Sequence, residues 1–429
     1  MPSRLPRALR RWAGDPSFAV YLVAVVLCLL RARDLPTVTF AVAGSDVSVG
    51  PADVALLVVA VLAVRRLRGR RPVQAPALLG ASFAFAALVL LSSLPNGATA
   101  FTAAAKLAEF FVLTLATVAF VDSRERLGAL VAVVVSFTAV VVARALVDFV
   151  GAGGGRQGSF VGEHDAAALA TLALAVGLAR MHGRRGTGGA LAVTGIVVGV
   201  VGIVLGASLA SLLGLYGAAA VILVVSRRRR ELRLGAALAT VAVAAAATAG
   251  TLAMRQGDLG FLQAWFGEGA EQPGQLSSSW SQRLIYTYVG GRVFLDRPLL
   301  GTGWHGELPP SEFAEYVPDA RARFPDEPPH YFPPTDRGFV PQQTYDQILF
   351  QLGLVGAAVF AALIALAARQ AAARSRVAAV DAAYLPGSWL AACAGALAGA
   401  ALFGGSPLTA VFWLTLGIVS AQPAGGEPA

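Results

Sequence analysis

Long apolar runs separated by short basic segments make up most of the chain, and one long polar stretch, from Arg255 to Gln343, interrupts them. By apolar length the runs predict about twelve membrane-spanning helices. Their cores fall at 16–31, 50–64, 77–94, 101–121, 127–150, 166–181, 190–206, 209–225, 234–254, 344–368, 386–403 and 407–421. Between the seventh and eighth, Gly206-Ala207-Ser208 is the only available break. Helices satisfy their own backbone groups in lipid, and no alternating barrel strands are visible. The expected architecture is an all-α polytopic membrane protein: an N-terminal bundle (1–254), a loop or cap (255–343) and C-terminal helices (344–429).

Composition agrees. Of 429 residues 56% are hydrophobic and 14% charged, with mean hydropathy +0.66; a soluble domain carries about 25% charged residues. The net charge of +9 does not point to nucleic acid, because the basic residues sit in short clusters between apolar runs. With the N-terminus inside, cytoplasmic segments hold 22 of the 34 Lys and Arg residues and outer segments 10. That bias predicts both termini in the cytoplasm and the long polar loop outside. The N-terminal arginines before an apolar run resemble a signal peptide, but no small-residue cleavage pattern follows, so an uncleaved first helix is expected. Cys28 and Cys393 lie within apolar runs, which argues against a disulfide framework.

From Arg255 to Gln343 there are 7 arginines and 11 acidic residues, unlike a polybasic lipid-binding tail. Trp265, Phe266, Trp280, Tyr286, Tyr288 and Trp304 predict a folded cap at the membrane surface. Residues 280–296 read as a helix with Leu284, Ile285, Tyr288, Val289 and Leu295 on one face and Arg283 on the other.

Lys106 and Glu109, three apart, and Arg144 and Asp148, four apart, each share a helix face within the outer half of a predicted span. They read either as groups facing a wet cavity or as ion pairs that fix packing. The segment from Gly153 to Asp165 follows its glycines with Arg156, whose fork suits phosphate oxygens. Glu163, His164 and Asp165 there are plausible acid/base groups, or part of a turn in which Asp165 caps the next helix. In the large loop Arg283 can reach a ligand, Arg292 amid apolar residues snorkels or pairs, and His305 and His330 are candidate bases. No His, Cys, Asp and Glu set has metal-ligand spacing, and no P-loop or nucleophile elbow occurs.

These residues together resemble the O-antigen ligase/O-antigen polymerase superfamily of bacterial membrane glycosyltransferases. Gly155-Arg156-Gln157-Gly158-Ser159-Phe160 is similar to that family's outer-loop arginine before a helix. Ser281-Gln282-Arg283 followed by Asp296-Arg297-Pro298-Leu299-Leu300-Gly301-Thr302-Gly303 resembles its arginine helix and P-L-L-G-x-G signature, the most specific match. Gln343-Thr344-Tyr345 leading to Gln351-Leu352-Gly353-Leu354-Val355-Gly356, and Phe412-Trp413-Leu414-Thr415-Leu416-Gly417, resemble its later helices. Two positions depart. The family commonly has His-Asn, with the His as favoured base, where this chain has Gln342-Gln343, and often Ser-Arg where it has Ser208-Leu209.

The resemblance implies transfer of glycan from a polyprenyl-diphosphate carrier to an acceptor hydroxyl at the outer face of a bacterial inner membrane. The acceptor is a growing glycan or a lipid or protein anchor, and no cofactor, metal or nucleic acid is implied. Arg156 and Arg283 would bind the diphosphate. His330, Glu163 and His305, in that order, are the expected bases, with Lys106, Glu109, Arg144, Asp148 and Gln342 as supporting polar groups. The absent ligase-associated His tilts the expectation toward polymerase. The rival class is a twelve-helix transporter or flippase, which predicts internal symmetry and a central cytoplasmic connection.

Overall fold

In the computed structural model, residues 15–42, 45–68, 75–183, 189–255, 278–377 and 379–421 are described. Of the expected loop aromatics, Trp265, Phe266 and the Trp280 side chain lie outside the described part. Each expected apolar stretch holds helix. The first seven are α1 (Pro16–Cys28), α2 (Pro51–Arg68), α3 (Pro76–Ser93), α4 (Gly97–Ala108), α5 (Phe111–Phe120), α6 (Arg124–Gly151) and α7 (Glu163–His182). There follow α8 (Gly189–Gly206), α9 (Leu209–Arg228), α10 (Leu234–Met254), α11 (Ser278–Asp296), α12 (Val317–Arg323), α13 (Thr344–Arg374), α14 (Val380–Ala396) and α15 (Pro407–Ser420). Among the described residues seven helical segments are long and apolar enough to cross a membrane, counting α3 to α5 as one, while α1 and α15 are shorter apolar helices.

Three expectations change. The stretch 101–121 is not one helix but two, broken at Glu109 and Phe110 beside the Lys106 ion pairs. The stretch 386–403 starts earlier and stops at Ala396, because Pro386 sits inside α14 rather than opening it. Residues 397–406 instead run without helix, and their carbonyls accept bonds from neighbouring elements: Leu397 from the Thr344 amide (3.0 Å) and Leu402 from Gln347 Nε2 (3.2 Å). Such backbone is tolerated at membrane depth when it is buried in protein or lines a cavity. The chain is also not purely helical. Strands β1 (Val38–Val42) and β2 (Ser45–Val49) form an antiparallel hairpin with Val38 opposite Val49.

Helix α7 is the central post, with 83% of its most apolar window buried. Its closest neighbour is α8, and the reason is a row of small residues. A Cβ on Gly195, Gly199, Gly202 or Gly206 would lie within 2.4–2.8 Å of Ala173 O, Leu174 Cβ, Ala170 Cβ or Glu163 O. With no hydrophobic drive between helices in lipid, such small-residue faces let backbones approach and pack.

The two ends of the bundle differ. At one, Asp15, Arg66, Asp122 and Arg126 interlock, and Arg180 pairs with Asp381 at 2.6 Å. Arg66, Arg126 and Arg180, from three of the expected basic segments, lie here. At the other end lies the cap. Its own apolar core joins Ile285, Val289 and Val293 of α11 to Leu308, Phe313, Val317, Phe332 and Phe339. The α11 face thus differs from the expected one: Leu284 and Leu295 are exposed, and Val293 replaces them. Nor does Trp304 lie on a surface; it is 1% exposed and packs into the bundle core.

The P-L-L-G-T-G segment is the joint between cap and bundle. Inside α13, Gly353 has φ 60° and ψ −159°, which interrupts the helix. The amides of Leu354 and Val355 donate to Pro298 O (2.8 Å) and Leu299 O (3.1 Å), while Thr302 N donates to Phe350 O (3.2 Å). A Cβ at Gly353 would sit 2.5 Å from the Leu299 carbonyl, besides demanding a left-handed backbone that favours glycine. Gln351, fully buried, accepts from the amides of His305 (2.8 Å) and Gly306 (3.2 Å) and donates to Gly306 O (3.0 Å).

Candidate functional site

A cavity of about 1450 Å³ separates the cap from the end of the bundle. Its cap wall is Gln282, Arg283 and Tyr286 of α11, Arg321 of α12 and the segment from His330 to Gln343. Its bundle wall includes Arg156, His164, Ser208 and Arg255, together with Ala398 to Ala401 of the non-helical segment.

The break between α8 and α9 organises the bundle wall. Ala207 adopts φ +43°, a conformation costly for a residue with a Cβ, and at this break three successive residues bond side chains of the cavity wall. Gly206 O accepts from Arg156 Nη2 (3.5 Å), Ala207 O from Arg255 Nη1 (2.9 Å), and Ser208 Oγ lies 3.3 Å from His164 Nδ1. Arg156 Nη2 also meets Glu163 Oε2 at 2.6 Å. Arg283 arrives from the opposite wall. It donates from Nη1 to Gln342 O and from Nη2 to Gly399 O, each at 3.3 Å. Burial, with Arg255 and Arg156 nearby, lowers the Arg283 pKa from its ordinary value, and Asp346 offsets part of this. Three guanidinium groups therefore converge on one space.

The sequence-derived site residues fall into two groups. Arg156, Arg283, His330 and Gln342 line the cavity. Gln342 Nε2 donates to Gln282 Oε1 at 3.2 Å, so a glutamine pair spans this part of the cap wall. His330 is exposed, in a short turn with its ring edge-on to Tyr331. Glu163 is bound to Arg156. The rest lie elsewhere. His305 sits in the cap joint, where its Nε2 is buried with no partner among the described residues. Lys106 meets Asp53 at 2.5 Å and Glu109 at 4.0 Å, and Arg144 pairs with Asp148 at 2.9 Å, neither pair lining the cavity. Arg292 pairs with Asp319 at 3.7 Å. Asp165 caps a helix, but not its own: its Oδ1 accepts from Leu408 N (2.9 Å) and Ser406 Oγ (3.2 Å) at the start of α15, while Arg31 meets its Oδ2 at 3.4 Å.

Arg255 and Ser208 belong to the cavity and were not expected there. The available signal for Arg255 was an arginine directly after an apolar run, indistinguishable from an interfacial anchor. Among the described residues no three His, Cys, Asp or Glu side chains are grouped as a metal site.

The cavity continues into the bundle. Leu213 and Tyr216 line it about 6 and 10 Å along α9 from its start, about one and two turns at 1.5 Å per residue, with Thr248 of α10 beside Tyr216. Tyr216 Oη and Thr248 Oγ1 are hydrogen-bonded across the α9–α10 seam, and Leu213 and Tyr216 are 59% and 46% exposed.

Residues 194–361 match the family model described as O-antigen ligase. The matched segment runs from α8 through the Ala207 break, Arg255, Arg283 and the cap joint to the Gly353 interruption, and leaves Arg156 and His164 outside. No curated protein matches the chain.

Proposed function

On the premise that residues 194–361 are an O-antigen ligase domain, which supports a place in the O-antigen ligase/polymerase superfamily, we propose that this protein is a glycan polymerase working on polyprenyl-diphosphate-linked substrates at the outer face of the inner membrane. One observation carries the reading: Arg156, Arg255 and Arg283 converge on a cavity that also reaches the α9–α10 seam.

Each part suits the chemistry. The leaving diphosphate needs positive charge more than it needs a proton, and preorganised guanidinium groups provide it where water is scarce. Held by backbone carbonyls and, for Arg156, by Glu163, they are aimed before substrate arrives. The seam would take the proximal isoprene units, with Leu213 and Tyr216 beside the tail. The cap covers the sugar, and a cavity of about 1450 Å³ accommodates several sugar units. The deepest polar lining, Tyr216 and Thr248, lies only two turns in, which favours transfer over the transport rival. Polymerase is preferred to ligase because Gln342 stands where the ligase-associated His is expected.

The test is glycan transfer by the purified protein in nanodiscs with a polyprenyl-diphosphate oligosaccharide. Lengthening of the lipid-linked glycan, reduced about 100-fold or more in Arg283→Ala and Arg156→Ala, is the expected result. Transfer to another acceptor without lengthening would make it a ligase. No transfer to any acceptor by folded wild type would refute the transferase reading.

A further inference from the structure

We infer that His164 takes the proton of the acceptor hydroxyl, that Ser208 sets its tautomer, and that it works only when the donor diphosphate is in place. The inference rests on the transferase reading above. The anomeric carbon is one bond from the diphosphate, so the base and the diphosphate-binding cations must bracket a single glycosidic bond. His164 satisfies this by construction. The three residues that hold Arg156, Arg255 and His164 are consecutive, Gly206, Ala207 and Ser208, and the residue before His164 holds Arg156. By contrast, His330 is exposed on the cap wall.

The hydrogen bond engages Nδ1, and the step requires the tautomer in which Nδ1 is the donor. With Nδ1 protonated and donating to Ser208 Oγ, Nε2 presents its lone pair. Among the described residues nothing else bonds the ring, and His164 lines the cavity, so Nε2 is the atom an acceptor can reach. In the step, the acceptor O–H bond breaks and its proton goes to Nε2 as the oxygen forms a bond to the anomeric carbon. The bond from that carbon to the diphosphate breaks, and the carrier diphosphate leaves with the electron pair. The proton then passes from the imidazolium to the departing diphosphate or to water.

The surroundings make the step conditional. Arg283 from α11, Arg156 from the preceding loop, Arg255 at the end of α10 and Arg31 after α1 all act on His164 electrostatically. Glu163 and Asp165 flank it on its own helix, but each is occupied, by Arg156 and by Arg31 with the α15 terminus. An imidazolium forming among these guanidinium groups is stabilised by the diphosphate lying between them. Proton abstraction without bound donor is thereby suppressed.

The experiment compares wild type, His164→Asn, His164→Gln and Ser208→Ala in the nanodisc assay, with donor affinity measured separately and thermal unfolding as the folding control. Asn keeps a group able to bond Ser208 but has nothing at the Nε2 position. The expected result is kcat lowered about 100-fold or more in both His164 variants. Donor Kd should stay within about threefold, and the acidic limb of the pH–rate profile should disappear. Ser208→Ala should keep that limb and lose about tenfold in rate. Retained kcat and acidic limb in His164→Asn, while Arg283→Ala abolishes transfer, would overturn the role of His164 and leave the transferase intact. An absence of transfer by wild type would instead remove the transferase reading and the inference with it.

Discussion

Arginines cluster at both ends of the bundle, but their partners are of different kinds. At the basic end, Arg66 and Arg126 close a ring with Asp15 and Asp122 at 2.5–3.2 Å, their guanidinium groups lying over Phe120 and Phe18. Charge is cancelled by charge there, and the ring staples α1, α2 and the start of α6. At the cap end Arg283 donates to two carbonyls and Arg255 donates to Ala207 O, while Arg156 pairs with Glu163. A carbonyl fixes a guanidinium in place without neutralising it. The first arrangement is a structural clamp, and the second is where the proposed function seats an anion.

Exchanging the losses should separate the two. Arg255→Ala is expected to reduce transfer about 100-fold, in the range for removing one preorganised charge from a transition state, with little change in thermal unfolding; equal losses of activity and stability would break the distinction. Arg66→Ala should do the reverse. It should cost roughly 2 kcal/mol, between exposed and fully buried ion pairs, seen as a lower unfolding midpoint, with transfer per folded molecule unchanged. The smallest effect concerns His305 in the joint. Burial lowers its imidazole pKa from the ordinary value, with Glu312 raising and Arg297 lowering it by less. The fold therefore favours the neutral ring. Its contribution is complete above about pH 6.5 and is lost as pH falls below that, where the unfolded chain takes up a proton. His305→Gln should flatten this part of the unfolding-versus-pH curve, measured between about pH 5 and 7.

How much of this could be read from the chain alone depends on what each feature needs. A membrane helix needs little more than length and apolarity, so its position shows in composition, including the break at Gly206-Ala207-Ser208. A charge cluster assembled from α6, α9, α10 and α11 has no local signature; Arg156 and Arg283 stood out because they sit in polar surroundings, whereas Arg255 ends an apolar run. The hairpin offers little alternation, Val47 and Val49 about Ser48 in β2 and none complete in Val38–Val42, and it is short beside the flanking spans. Lys106 and Glu109 were legible as neighbours at helical spacing, while the nearer partner, Asp53, comes from α2. Sequence spacing reveals contacts within a helix and is silent on those between helices.

The cap joint bears on how such chains are recognised. Pro298 to Gly303 supplies backbone carbonyls and an amide to the interruption at Gly353, and none of its side chains lines the cavity. The most conspicuous signature in the sequence is therefore a coupling pin between two rigid parts. A chain could keep this pin, assemble its cap correctly, and still be inert if its arginines were replaced. The signature vouches for the machine's frame, and the scattered cations must be read separately to know whether the machine runs.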